Sequence, residues 1–322
     1  SYERFSKIRA DRHRFRRPDG PKNLHQFVEV FSEQSLLMVD QLEAVAGKGP
    51  FSLWKYLTSY TMDSVCETAL GIKVDAQRNP NQPFLEAFDQ HCQMASWRIC
   101  QPPITQQMYK YLPIYKLYMN HINWLRAIRA PSNIKYPNST DKELKTFLEL
   151  YIKASGGASG FTNVELREET LVLLLAGTDT SAVGSAFTSL MLARHPEVQN
   201  NVYEEIREVL GDSNRSVSAE DLPRLKYLEA VIKESLRLYP PVPIIVRKAD
   251  KDIKLLYWGK DAEEFRPERF LESNLKHPAA FIPFSYGPRS CLGKGFLRTN
   301  NSKAKTSPFL ILFQYYNSQR AI

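Results

Sequence analysis

The sequence has no uninterrupted apolar run long enough to cross a bilayer: the longest, Leu171 to Ala176, is followed at once by Gly-Thr-Asp-Thr. Its opening residues, SYERFSKIRADRHRF, lack the apolar stretch of a signal peptide or an anchor. On these grounds the chain reads as soluble, or as the soluble part of something larger. There are no internal repeats, which excludes a repeat array. Cysteine is scarce as well. The four present (Cys66, Cys92, Cys100 and Cys291) show neither paired metal-binding spacing nor a dense disulfide pattern, so a reducing compartment fits. Cys66, Cys92 and Cys100 stand among apolar or aromatic neighbours and read as inert core residues. Cys291 does not resemble them.

What is present is a chain of 322 residues, 43% hydrophobic, enough for one large core or two modest ones. A formal net charge of +8 favours acidic partners, whether membrane surface, nucleic acid or protein. The densest basic run is Arg9 to Arg17. It can be a solvated face, a docking patch for an acidic protein, or a nucleic-acid contact. No aromatic interleaving or nucleic-acid fold motif accompanies it, so we expect no nucleic-acid partner.

Helical periodicity dominates. Leu24 to Val45 repeats Phe27, Val30, Phe31, Leu36, Leu37, Val39 and Leu42 at helical spacing, and Phe51 to Leu70 does so again before Gly71 closes it. Thr162-x-x-Glu165 is a capping box, opening an amphipathic to fully apolar helix that runs from about 163 to 193. Pro196 opens a helix that stops near Leu210-Gly211. Ser218 to Asp221 starts a short segment, and Tyr227 to Leu238 is a further amphipathic helix halted by Pro240-Pro241. Short β-like pieces follow at Ile244 to Val246 and Ile253 to Leu256, among Pro- and Gly-rich turns.

Four segments carry chemistry. In Phe284-Ser-Tyr-Gly287-Pro-Arg289-Ser-Cys291-Leu-Gly293, the glycines let the chain turn so that backbone N–H groups can face the sulfur. Phe284 can shield it from water, Arg289 offers a cation, and a helix beginning after Cys291 would lower the thiol pKa. That is the make-up of a metal-ligating thiolate; the bland alternative is a surface turn with an incidental cysteine. Glu234 and Arg237 share one helix face, where opposite charges pair, as they do on many surface helices. Ala176-Gly177-Thr178-Asp179-Thr180-Ser181 places poor helix formers inside the most apolar helix. A hydroxyl there can bond a preceding carbonyl or a water and open a local kink, or it can be a tolerated core polar group. Arg247, after the turn Pro240-Pro-Val-Pro243, is either a ligand contact or an ordinary surface arginine.

The order and content of these segments resemble the cytochrome P450 superfamily, whose haem loop reads F-x-x-G-x-R-x-C-x-G. Phe265-Arg-Pro267-Glu-Arg269-Phe270 resembles its P-E-R-F segment, and Tyr257 to Phe270 is similar to the animal clan of fatty-acid ω-hydroxylases, insect members above all. Phe27 to Leu42 resembles that clan too. The resemblance implies a mainly α fold: a single domain, a helical haem-binding unit with small β-sheets. It implies haem b, with Cys291 as axial ligand pushing electron density onto iron. Phe284, Gly287, Arg289 and Gly293 would form the loop, and Arg247 would reach a propionate. Asp179 and Thr180 would relay protons during oxygen activation, beside Ala176 and Gly177, where the haem approaches. Glu234, Arg237 and Arg269 would form a structural triad bracing the loop. Ala176 has no carboxylate at the place where some relatives esterify the haem, which implies non-covalent haem. The implied activity is monooxygenation of a lipophilic substrate (fatty acid, hormone-like lipid or xenobiotic) with O2. Electrons would come from NADPH through NADPH-cytochrome P450 reductase, with cytochrome b5 as a second donor. The implied residence is the cytosolic face of the endoplasmic reticulum membrane.

The sequence departs from the family in four places. The anchor, the N-terminal β region and the tryptophan-bearing helix over the haem are not found. The strand-turn-strand segment due between Leu256 and Tyr257 is missing, and Leu125 to Asp141 is short for the helices that roof the pocket. After Gly293 the chain turns polar, KGFLRTNNSKAKTS. A catalytically inactive remnant is therefore the alternative to a working monooxygenase.

Overall fold

The computed structural model of the chain describes residues 21–79, 86, 89–90, 92–94, 106–113, 115–116, 119, 146, 162–211, 215, 217–245, 258–271, 280–286 and 291. Among these the regular structure is helical. Helix α1 spans Pro21–Glu43 and α2 spans Leu53–Val65. A π-helical turn, Cys66–Leu70, follows. A short α3 covers Gln106–Tyr109. Then come α4, Asn163–Arg194, α5, Pro196–Leu210, and α6, Lys226–Leu238. Short 3-10 turns occupy Leu222–Arg224 and Pro267–Phe270. The strand-like reading of Ile244 and Ile245 is not realised: both are exposed, without regular structure. Among the described residues no strand pairs with them, and β-branched side chains alone do not make a strand. Val246 and Ile253 to Leu256 lie outside the described residues.

The chain divides into two compact units, one of Ser1–Ser64 with Gly177–Ile322 and one of Val65–Ala176. In the first, α5 buries Val202, Ile206 and Val209, one stripe at helical spacing. Leu228, Val231 and Ile232 of α6 meet that stripe in one cluster, closed by Val28 from α1, Leu222 from the 3-10 turn and Leu225 just after it. Each such side chain contributes about 1.5–3 kcal/mol on burial. A second cluster joins Met38 and Leu42 of α1 to Leu57 and Tyr60 of α2 and Ala182 of α4. Burial pushes the Tyr60 hydroxyl pKa well above its usual range.

In the second unit the π turn ends where Gly71 takes a left-handed φ of 71°, its N–H bonding the Glu67 carbonyl. A Cβ at this position would lie 2.6 Å from the Thr146 side chain, so backbone angle and space both require glycine. The capping box of α4 forms as its sequence implies. Glu165 N–H donates to Thr162 Oγ1 at 3.2 Å, and Thr162 N–H donates to Glu165 Oε2 at 2.9 Å. By length and hydropathy, Thr170–Arg194 does qualify to cross a membrane. That result tempers the reading that no run spans a bilayer, which rested on the interruption at Gly177 to Thr180. The same stretch buries Leu174, Thr178, Ala182, Ser185, Thr188 and Met191, the pattern of a core helix.

Candidate functional site

The site is built around α6. Its buried face carries Glu234, with none of its surface exposed, because the stripe through Leu228, Val231 and Ile232 continues onto positions 234 and 235. A carboxylate buried there is costly unless every lone pair is matched, and each oxygen has its donors. Arg237, one turn on, donates Nε to Oε2 at 2.7 Å and Nη2 to Oε1 at 2.9 Å. Arg269, from the Pro267–Phe270 turn, donates Nε to Oε1 at 3.0 Å, and the Arg266 backbone N–H donates to the same oxygen at 2.9 Å. Further guanidinium N–H groups donate to carbonyls: Arg237 to Ala262 at 2.6 Å and Glu264 at 3.1 Å, Arg269 to Asp261 at 2.9 Å.

The second cation is balanced by Asp261, whose Oδ2 lies 3.2 Å from Arg269 Nη2 and 3.3 Å from Arg266 Nη1. Arg269 beside it holds the Asp261 carboxyl below the usual aspartate range. Asp261 is absent from the sequence reading. Its only signal is an acid just upstream of the Arg-Pro-Glu-Arg run, indistinguishable there from Glu263 and Glu264.

A second polar chain reaches the same turn from α5. Glu205 accepts the backbone N–H groups of Tyr227 at 2.6 Å and Leu228 at 2.9 Å, capping the start of α6 from another helix. Burial raises its pKa, against the lowering effect of those two bonds. Tyr227 Oη donates to Glu268 at 2.8 Å and receives Asn201 Nδ2 at 3.3 Å. Burial and the adjacent Glu268 push the Tyr227 hydroxyl up to about 12. These long-range partners had no sequence motif to announce them.

Cys291 is exposed and in no disulfide. Its backbone N–H donates to the Phe284 carbonyl at 2.9 Å, drawing the two ends of the loop together. Ser285 turns the chain with φ of 61°, an uncommon value for a residue with a Cβ. Of the other loop residues, Gly287, Arg289 and Gly293 lie outside the described residues, as does Arg247.

On α4 the structure places Thr178, rather than Thr180, at the buried position, its Oγ1 3.9 Å from Met62 Sδ. Asp179 and Thr180 are half-buried and Ala176 is exposed. The helix is continuous through all of them. Glu234, Arg237 and Arg269 are thus brought together in one network, and Phe284 is brought to Cys291.

Comparison with known proteins gives the family. A family model described as cytochrome P450 matches residues 12–256 and 255–302. Its two segments overlap at residues 255–256. Cytochrome P450 4d2 of Drosophila melanogaster is 33% identical over 85% of this chain and 64% of its own length. Cytochrome P450 4d8 of the same fly is 32% identical over 85% and 69%. The human cytochrome P450 4V2 is 30% identical over 85% of this chain, which spans 60% of that relative. Among solved structures, the haem domain of a cytochrome P450DA mutant superposes with a TM-score of 0.71. It covers 91% of this chain and 68% of its own at 21% identity, a likeness of fold. A second structure of that haem domain gives a TM-score of 0.68 over 90% of this chain. The family's prosthetic group is haem b on a cysteine thiolate. The donor set fits it: Cys291 is a free, solvent-accessible thiol on a loop closed by its own backbone bond. The motif order, the buried Glu234 network and these matches agree that the chain belongs to the cytochrome P450 family, within the clan of the 4-series members it matches.

Proposed function

We propose that the chain is a haem-thiolate monooxygenase that inserts one oxygen atom of O2 into a lipophilic substrate, with Cys291 holding the haem iron. The single observation that carries this reading is the completeness of the brace. A buried carboxylate is matched by two arginines and a balancing aspartate, and Trp258, against both arginines, reaches Phe281 ahead of the loop the network would support. When bound, the haem supplies the oxygen-activating chemistry. The chain's own residues hold it and manage protons. Cys291 would ligate as the thiolate, with Phe284 beside it and Gly287 and Gly293 shaping the loop. Arg289 and Arg247 would pair with the propionates. Asp179 and Thr180, half-buried on α4, would pass protons, with Ala176 and Gly177 beside them leaving the haem room and without a covalent ester.

Electrons would come from NADPH through a flavoprotein reductase, with cytochrome b5 as a second donor. A reductase docking on the Cys291 side would suit the basic surplus of the chain. Residence on the cytosolic face of the endoplasmic reticulum membrane belongs to the same reading. The substrate class is a fatty acid, a hormone-like lipid or a xenobiotic.

The second reading, a haem-binding but inactive remnant, is favoured by one observation: the family model aligns in two segments broken at 255–256. One experiment separates them. The haem-loaded chain is incubated with reductase, NADPH, a medium-chain fatty acid and ¹⁸O-labelled dioxygen. A hydroxylated product carrying one labelled oxygen supports the monooxygenase. Haem uptake without such product, across a panel of fatty acids and apolar drugs, supports the remnant.

A further inference from the structure

Trp258 lies against the Glu234 network and against the aromatic side chains that precede the cysteine loop. Its ring centroid lies 5.2 Å from Arg237 Cζ and 5.9 Å from Arg269 Cζ, so one indole serves both guanidiniums gathered on Glu234. It also meets Phe270 at 5.7 Å and Phe281 at 6.5 Å, and those two rings meet each other edge-on at 4.8 Å. Phe281 stands three residues before Phe284, whose carbonyl holds the Cys291 N–H. The contacts run from the buried ions through three rings packed at tilted and edge-on angles to Phe281, from which the chain leads directly into the cysteine loop.

We propose that Trp258 is a positioning residue that couples the Glu234 network to the Cys291 loop. The guanidiniums are fixed by their hydrogen bonds, so they hold the indole face. The indole fixes the Phe270–Phe281 pair, and Phe281 sets where the loop begins. A smaller apolar residue at 258 would leave the ion network intact but free Phe281, and the Phe284–Cys291 bond would open more often. A phenyl ring, which keeps a π face over the arginines, would preserve the coupling.

The inference rests on reading Cys291 as the haem ligand, but its first test needs no haem. Amide hydrogen exchange is measured on the full chain for wild type, Trp258→Phe, Trp258→Leu and Phe281→Leu. The segment 284–291 should exchange about tenfold faster in Trp258→Leu and Phe281→Leu, near wild type in Trp258→Phe, with α5 unchanged in all. In the haem-loaded proteins the first two should lose part of the thiolate-type Soret band after reduction and carbon monoxide, while Trp258→Phe keeps it. If 284–291 exchanges alike in wild type, Trp258→Leu and Phe281→Leu, the coupling is overturned. It is equally overturned if Trp258→Phe and Trp258→Leu behave alike. Should Trp258→Leu fail to fold, Phe281→Leu decides by the same criterion. Loss of the exchange difference counts against the coupling. Absence of a thiolate band in wild type, with the exchange difference intact, counts against the haem reading alone.

Discussion

Glu234 and Asp221 are both buried carboxylates held by arginine, and they are built differently. Glu234 is fully buried and so are its partners, with the Arg237 and Arg269 side chains only 7% and 6% exposed. Asp221, 6% exposed, takes a bidentate pair at 2.7 Å from Arg215, whose side chain is 41% exposed. It also accepts the Ser218 N–H at 2.8 Å, which fixes the turn before Leu222–Arg224. At Asp221 water still solvates the cation, so the pair is a local clasp. At Glu234 neither charge can be solvated if its partner leaves, so the network is all or nothing. The lesson is that the costlier design joins two separate segments, α6 and the Pro267–Phe270 turn, and the cheaper one closes a local turn.

The comparison is broken most sharply at Glu234. Glu234→Ala leaves two buried guanidiniums sharing only Asp261 and carbonyls, and should cost about 3–5 kcal/mol in denaturant unfolding. Asp221→Asn should cost less, on the order of 2 kcal/mol, since Arg215 returns to water. Its acid signature sharpens the contrast. Arg215 and the Ser218 N–H hold the Asp221 carboxyl down to about 2 from the ordinary 3.8. A depressed carboxylate stabilises above its unfolded pKa, so this contribution is complete above pH 3.8 and vanishes as pH falls through about 2. The wild-type minus Asp221→Asn stability difference should shrink over that window in pH-resolved unfolding. Tyr227→Phe removes the bond to Glu268 and should cost about 1 kcal/mol, measured the same way. The smallest effect belongs to Cys291→Ala. In the haem-free chain an exposed thiol outside any disulfide should change stability by less than about 0.5 kcal/mol.

Much of this was legible beforehand. The stripes of α1, α5 and α6 follow from residues repeated at helical spacing, the Thr162–Glu165 box marks an end by local chemistry alone, and Gly71 does so by its left-handed φ, with Thr146 adding a steric demand that spacing does not show. Glu234 with Arg237 was a weak local pair until Arg269 joined it from a motif downstream. What stayed hidden is whatever only the fold brings together: Glu205 capping α6, Tyr227 on Glu268, Asp261 balancing Arg269, and Trp258 over both arginines. None has a fixed sequence spacing, because each joins elements whose separation is set by packing. On α4, Thr178 is fully buried with its Oγ1 3.9 Å from Met62 Sδ, a contact with another helix that no sequence spacing announces.

The central claim is that Cys291 holds haem iron as a thiolate. It is tested most directly by the absorbance of the haem-loaded chain after reduction and exposure to carbon monoxide. Wild type should show the red-shifted Soret band of thiolate ligation, and Cys291→Ala should lose it while keeping the helical content of the wild type. A wild-type chain that takes up no haem, or a thiolate-type band that survives in Cys291→Ala, would contradict the account.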